Sequence, residues 1–250
     1  MSEVHETASK AWGESADLYE RARPEYPPEA IDFFHELGLG PDGDVLDLAA
    51  GTGKLTRALI AAGARVTAVE PLAAMRQMLQ QRLPEATVMA GTAENIPVQD
   101  ESMDLVTVAQ AFHWFDADTA MNEIARVLRP GGGLGAIWNV RDESVEWMAM
   151  IRELIESARS DTPSHQSGEW RKPFDSPGSP FEPLRVETFR HTQQVTRADA
   201  VDVFASRSYV ASLPADERDH LLERVAEQVP RTEIVAMPYI TELYWTRKST

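Results

Sequence analysis

The run Asp44-Val-Leu-Asp-Leu-Ala-Ala-Gly-Thr-Gly-Lys-Leu-Thr56 constrains this chain more than any other feature. It reads as a buried strand that enters a glycine turn and then opens a helix. Gly51 and Gly53 can take positive φ and carry no Cβ, so the backbone can bend sharply and lie within contact distance of a ligand. Nineteen residues beyond Gly51, a second apolar run, Arg65 to Val69, ends in Glu70. An acid at the tip of the neighbouring strand is where an open α/β sheet meets the two hydroxyls of a ribose. Turn and acid together predict a nucleoside cofactor.

Three nucleotide-binding loops compete for this pattern, and the flanking residues separate them. A P-loop needs glycine five residues before its Gly-Lys pair and Ser or Thr after it; those positions hold Leu48 and Leu55. A dinucleotide fingerprint puts Gly or Ala three residues after Gly53, to let helix and strand close around a pyrophosphate; Thr56 stands there. The third reading needs no phosphate contact. Asp47 just ahead of the small residues, and a short turn, suit an amino acid and a nucleoside joined through sulfur.

Strand-like runs near Val45 to Ala49, Arg65 to Val69, Ala86 to Ala90, Leu105 to Ala109 and Leu134 to Trp138 alternate with helix-like stretches near Lys54 to Ala62, Ala73 to Arg82 and Asp118 to Leu128. Such alternation predicts crossover units, a parallel sheet and a ligand crevice beyond the strands' carboxyl ends. Beyond the fifth strand, Glu143 to Ser160 reads as helix. The segment from Asp161 to Pro183 is rich in Pro, Ser and Gly, with Trp170, Phe174 and Phe181 interspersed, and reads as an ordered lid or a surface loop. A strand over Leu184 to His191, helices near Arg197 to Ser206 and Ala215 to Gln228, and a last strand from Glu233 to Thr246 complete the pattern. We expect one domain over 1–250: a helical cap (1–40), a cofactor-binding core (41–140), an insertion or lid (141–183) and a C-terminal part (184–250) that completes the sheet.

With 24 Lys and Arg against 40 Asp and Glu, the chain carries a formal charge of -16, which repels phosphate backbones and anionic lipid surfaces. We therefore expect no nucleic-acid partner and no membrane association. The chain has no cysteine, which excludes disulfides, thiolate catalysis and cysteine-bound zinc. Its histidines other than His113, at 5, 35, 165, 191 and 220, lack metal-ligand spacing, so no metal is expected. Met1 to Lys10 is polar and no stretch reaches a membrane span, giving a cytoplasmic expectation, as monomer or homodimer.

Six motifs then stand together: Val45-Leu-Asp-Leu-Ala-Ala-Gly-Thr-Gly53, Val69-Glu-Pro-Leu-Ala-Ala-Met75, Gly91-Thr-Ala-Glu-Asn-Ile-Pro97, Asp104-Leu-Val, Gln110-Ala-Phe-His-Trp-Phe-Asp116 and Leu128-Arg-Pro-Gly-Gly-Gly133. Through them the chain resembles the class I S-adenosylmethionine-dependent methyltransferases, nearest to the type 11 methyltransferase domain and its trans-aconitate-methyltransferase-like relatives. The resemblance implies an α/β, Rossmann-like fold. Its seven-stranded, mostly parallel sheet is ordered 3-2-1-4-5-7-6, with helices on both faces, a helical cap and an antiparallel last strand. It implies methyl transfer to a small-molecule O, N or carboxylate acceptor, with S-adenosylmethionine as cofactor and S-adenosylhomocysteine as product. Two departures stand out: Ala49 and Ala50 replace the commoner Gly-Cys or Gly-Ser, and Thr92 replaces an acid that reaches adenine.

The expected cofactor set follows. Glu70 binds the ribose, and the backbone from Ala49 through Gly51 to Gly53 cradles the methionyl part. Ala93 or Glu94 and Gln110 flank adenine and the amino acid; Asp47 and Pro71 complete the loops. Arg23 is a partner for the methionine carboxylate, because guanidinium pairs with carboxylate through two hydrogen bonds. His113, beside Trp114 just past the fourth strand, is the candidate general base if the acceptor must lose a proton, with local hydrogen bonding as its plainer role. Tyr19, Trp114, Trp138, Arg141 and Tyr209 are the candidate acceptor contacts, although Arg141 is read first as an ion-pair partner of Asp142 or Glu143. Two alternatives remain: a protein that binds the cofactor without methylating, and a nicotinamide-dependent oxidoreductase, which Thr56 disfavours.

Overall fold

The computed structural model describes residues 23–156 and 165–249. Strands β1 (Asp44–Leu48), β2 (Arg65–Val69), β3 (Thr87–Met89), β4 (Met103–Ala109), β5 (Leu128–Arg141), β6 (Arg185–Thr196) and β7 (Ile234–Arg247) form a seven-stranded sheet of order β3-β2-β1-β4-β5-β7-β6. Strands β1 to β5 pair in parallel. The last strand reverses: Lys248 bonds Gly132, Thr241 bonds Asn139 and Asp142 bonds Pro238, so numbers fall along β5 as they rise along β7. Order and mixed direction are those the resemblance implies. Val45, Leu46, Asp47 and Leu48 are all buried, because β1 sits mid-sheet with both faces covered; this is why its sequence is a continuous apolar run and not an alternation.

The helices α1 (Pro28–Phe33), α2 (Lys54–Ala61), α3 (Ala73–Arg82), α4 (Ala117–Val127), α5 (Glu146–Glu156), α6 (Arg197–Ala205), α7 (Ser208–Ala211) and α8 (Ala215–Gln228) fall close to the sequence expectation, except that the short α7 was not expected. Their starts are chemical. Asp116 caps α4 by accepting from the Thr119 N–H, and Thr196 caps α6 by accepting from the Asp199 N–H. Residues 1–22 of the expected cap, Tyr19 among them, lie outside the described residues.

The fifth strand differs from expectation. It begins at Leu128, not Leu134, and absorbs the glycine run with a register shift between Met103 and Leu105 on its neighbour. A Cβ on Gly133 would collide with the Leu37 carbonyl, and one on Gly135 would stand 2.5 Å from the Phe34 ring. These glycines make room for the turn after α1 to lie on the strand.

The described residues form two compact units. One comprises 25–139, 165–189 and 241–249, with a core of Phe34, Leu37, Val45, Leu55, Leu59, Val66, Leu105, Ile137 and Leu243. The other comprises 23–24, 140–156 and 190–240, with Met148, Ile151, Val203, Phe204, Leu221, Val225, Met237 and Tyr239 at its centre.

Candidate functional site

Within the first unit, the carboxyl ends of β1 and β2 are joined by one side chain. The Gly51 N–H donates to Glu70 Oε2 at 2.9 Å, and the Leu72 N–H donates to Oε1 at 2.9 Å. The acid therefore turns toward the bend, as its position at the strand tip predicts. Only 4 % of Glu70 is exposed, and burial pushes its carboxyl above the ordinary range, against the two N–H groups and Arg76. The Arg76 guanidinium also holds the Glu70 and Pro71 carbonyls, at 2.8 and 2.6 Å. Each carboxylate oxygen accepts one of these backbone bonds and has lone-pair capacity for another.

The two glycines of the turn serve different ends. A Cβ on Gly51 (φ 58°) would have only the Met75 sulfur within 4 Å, at 3.9 Å, so the space in front of it is open. A Cβ on Gly53 (φ 91°) would stand 2.9 Å from Leu83 Cδ1 and 3.1 Å from Leu79 Cγ. The room at Gly51 is thus open, whereas at Gly53 it is taken by Leu79 of α3 and Leu83 just past it.

Asp47 lies under the loop and not on its surface. It is wholly buried and accepts from Thr56 Oγ1 at 2.6 Å and Thr107 Oγ1 at 3.3 Å, tying β1 to α2 and β4. Burial raises its pKa to about 7, with the nearby Glu70 charge adding to the rise and the two hydroxyls opposing it. Each of its oxygens accepts one hydroxyl bond from the protein.

Ala49 and Gln110, at the ends of β1 and β4, have φ of 58° and 60°, a region that costs a residue with a Cβ about 1–2 kcal/mol. Hydrogen bonds hold the strain in place: the Ala50 N–H donates to the Val69 carbonyl at 3.2 Å and the Gln110 N–H to the Ile137 carbonyl at 2.9 Å. Ala49→Gly relieves the first strain but frees the unfolded chain. We expect unfolding free energy to rise by about 0.5–1 kcal/mol in a urea titration. A loss of stability would mean that the Ala49 methyl packs.

Beyond β3, Ala93 is buried, and Glu94 Oε1 accepts from the Asp116 N–H at 3.1 Å, linking this loop to the start of α4. Past β4, His113 and Trp114 sit in a 3-10 turn, Phe112–Trp114. The Trp138 indole N–H reaches His113 Nδ1 at 3.4 Å. That contact engages the Nδ1 lone pair, so in the neutral ring the proton sits on Nε2. Such an imidazole is a hydrogen-bond donor at Nε2, which favours the local role over the base.

Several residues near this rim have no counterpart in the sequence reading. Glu25 accepts from Lys54 Nζ at 2.9 Å and Arg57 at 2.8 Å, and its carbonyl accepts from Asn139 at 3.1 Å, so it spans the glycine turn's helix and the end of β5. His165, set aside as scattered, bonds Glu242 at 2.8 Å and stacks on Trp138 at 4.7 Å. Its contact holds the Glu242 carboxyl below the ordinary range, and Tyr244 donates to the same carboxylate at 3.0 Å. Trp170, Phe174 and Phe181 are each 4 % exposed, so 165–183 is anchored on the strands. Those aromatics in a Pro- and Ser-rich stretch were the available signal.

In the second unit, Arg23 donates to the Ser206 carbonyl at 3.4 Å, and Tyr209 is bonded by Arg207 at 3.2 Å. Arg141 does not pair with Asp142 or Glu143. Those carboxylates take Arg190 and Arg152, and the Arg141 guanidinium lies over the Phe204 ring at 4.8 Å. Tyr19 lies outside the described residues. Among the described residues no helix is long and apolar enough to cross a membrane, and no three His, Cys, Asp or Glu side chains group as metal ligands.

The model of a methyltransferase domain family matches residues 46–135, the stretch that carries β1 to β5. An uncharacterised methyltransferase of Mycobacterium tuberculosis strain H37Rv is 39% identical over 93% of this chain and 93% of its own. An uncharacterised methyltransferase-like protein of Schizosaccharomyces pombe is 36% identical over 92% of each. A solved structure of a type II methyltransferase candidate from Anaeromyxobacter dehalogenans shares the fold, with TM-score 0.69 over 91% of this chain and 97% of that one, at 23% identity.

Proposed function

The chain belongs to the class I S-adenosylmethionine-dependent methyltransferases, and from that premise we propose that it methylates a small-molecule acceptor by in-line displacement. The observation that carries the reading is the Glu70–Gly51 pair: a buried carboxylate held at a bend whose facing space a single Cβ would enter. In this reading S-adenosylmethionine, when bound, supplies an electrophilic methyl group on a cationic sulfur. Glu70 accepts from the ribose hydroxyls through its remaining lone pairs, and the strained backbone at Ala49 and Gly51 faces the methionyl part. The Ala93–Glu94 and Gln110 loops flank adenine and the amino acid. Alignment of donor and acceptor in a dry pocket accounts for about 7–11 kcal/mol of barrier in such transfers.

A dinucleotide reading loses support from Thr56, whose hydroxyl is committed to Asp47 where that loop needs glycine or alanine. His113 fits a reading without a dedicated base, since its Nδ1 already accepts from Trp138. That arrangement favours an acceptor that is nucleophilic as it stands, such as a carboxylate.

Calorimetric titration with S-adenosylhomocysteine tests the cofactor site. Glu70→Ala removes two charged hydrogen bonds and is expected to weaken binding by on the order of tenfold to a hundredfold. Equal affinity in wild type and variant would take Glu70 out of the site.

A further inference from the structure

The loop that follows β3 is tied to α4 by a guanidinium. Arg126, in the last turn of that helix, donates from Nη2 to the Ile96 carbonyl at 2.9 Å and from Nη1 to the Val98 carbonyl at 3.0 Å. Its Nε and Nη2 also meet the two oxygens of Glu123, three residues earlier on the helix, each at 2.8 Å, and Nη1 meets Asp100 Oδ1 at 2.7 Å. Five N–H donors thus face five acceptors, the full capacity of the group. Glu123 adds the opposite polarity: its Oε2 accepts from the Ile96 N–H at 2.9 Å, so both backbone groups of Ile96 are fixed by one ion pair of α4.

The other end of the loop adjoins Glu70. A Cβ on Gly91 would stand 2.6 Å from Pro97 Cδ and 3.0 Å from Val69 Cγ1, so the Pro97 ring meets the tip of β2 across Gly91, one residue before the acid. Ala93 and Glu94, the proposed neighbours of adenine, lie in sequence between these two anchors, Gly91 and Ile96. Glu94 makes a third tie to the same helix through the Asp116 N–H. Partly exposed ion pairs add little to stability by attraction alone. What the arginine fork supplies is geometry, since it bonds two carbonyls and a carboxylate that the point charge of a lysine would not span together.

We propose that Arg126, acting with Glu123, is a positioning residue for the cofactor's base: by fixing the backbone of 96–98 it sets the 91–97 loop against adenine and gives the site its selectivity for that base. The inference rests on the methyltransferase reading above and deepens it. Neither side chain touches the cofactor, so their effect falls on the choice of base and not on the ribose or amino-acid contacts.

The test titrates the full chain calorimetrically with S-adenosylhomocysteine and with S-inosylhomocysteine, the weaker ligand read by competition against the stronger. Hypoxanthine in the second ligand reverses donor and acceptor along the edge of the base and leaves the rest unchanged. Wild type is expected to prefer S-adenosylhomocysteine by on the order of tenfold or more. In Arg126→Met and Arg126→Lys that ratio is expected to fall to within about threefold, through loss of S-adenosylhomocysteine affinity. Glu123→Ala removes the acceptor of the Ile96 N–H, is expected to lower the ratio in the same direction, and keeps the proposal exposed even if Arg126→Met does not fold. Asp100→Asn, at the exposed end of the frame, leaves the ratio unchanged. Arg129→Met is the stability control: it breaks ion pairs to Asp44 and Asp104, at 3.0 and 2.6 Å, and is expected to lower the urea midpoint without moving the ratio. An unchanged ratio in Arg126→Met and Glu123→Ala, a wild-type ratio in Arg126→Lys, equal weakening of both ligands, or an equal fall in Arg129→Met overturns the proposal. So does a wild type that binds both ligands alike. Failure of wild type to bind S-adenosylhomocysteine would instead sink the methyltransferase reading.

Discussion

Gly51→Val is expected to yield a folded protein that has lost S-adenosylhomocysteine binding by about a hundredfold or more. The direction follows from the room around the glycine. A Cβ there meets only the Met75 sulfur, at 3.9 Å, so the added branches project into open space and not into the core. The fold suffers chiefly because valine disfavours φ near 58°, a cost of about 1–2 kcal/mol. The ligand suffers more, because atoms fill the space that the methionyl and ribose parts would use. Gly53→Ala is the matched control. Its Cβ would press on Leu83 and Leu79 at 2.9 and 3.1 Å, so it is expected to lower the urea midpoint while leaving affinity for S-adenosylhomocysteine within a few-fold of wild type. If Gly51→Val binds like wild type, the open space is not the cofactor's. If Gly53→Ala alone abolishes binding, the division of labour between the two glycines is wrong.

That division marks where sequence stops informing. The glycine turn and the acid nineteen residues later are local patterns, and a parallel sheet buried on both faces writes its strands as continuous apolar runs. The turn, the acid and the strands of the parallel part were therefore legible before any coordinates, while the order of the sheet came from the resemblance. The reason for Gly53 was not, because its neighbours Leu79 and Leu83 arrive from the far end of α3. The expected fifth strand starts only at Leu134, past the glycine run, for the same reason: Phe34 and Leu37, which need the missing side chains, come from near the start of the chain. Polar partners are harder still. Asp142 and Glu143 sit beside Arg141 in sequence yet pair with Arg190 and Arg152, and His165 finds Glu242 at a separation of 77 residues. Spacing encodes which side chains share a face. It does not encode which distant carboxylate will be within reach.

Asp47 offers the second large effect, on stability and its pH dependence. The carboxyl has an ordinary value of 3.8 and is raised to about 7 in the fold, chiefly by burial. Between those values the unfolded chain has released this proton and the native chain has kept it. The native state then binds more protons, so stability falls as pH rises. The penalty is absent below 3.8, complete above about 7, and worth about 4 kcal/mol in total. Glu70, also raised by burial, acts in the same direction. The lowered carboxyls, Glu25, Asp44, Glu123, Asp142 and Glu242, act in the opposite one, but their gain is in place once pH exceeds the ordinary values of 3.8 and 4.5.

Asp47→Asn should remove the Asp47 part without orphaning its neighbours. The amide oxygen still accepts from Thr56, and the amide N–H2 can donate to the Thr107 hydroxyl, whose own proton turns to the Leu46 carbonyl it already faces at 3.4 Å. Urea unfolding of wild type and variant, followed from about pH 5.5 to pH 8, is therefore expected to show the variant gaining about 2 kcal/mol on wild type across that window. The window stays above the sequence pI of 4.8, where solubility would confound the reading. Parallel pH profiles for the two proteins would mean that Asp47 ionises in the fold much as it does in water, and that the brace between β1, α2 and β4 is an ion–dipole contact and not a shared proton.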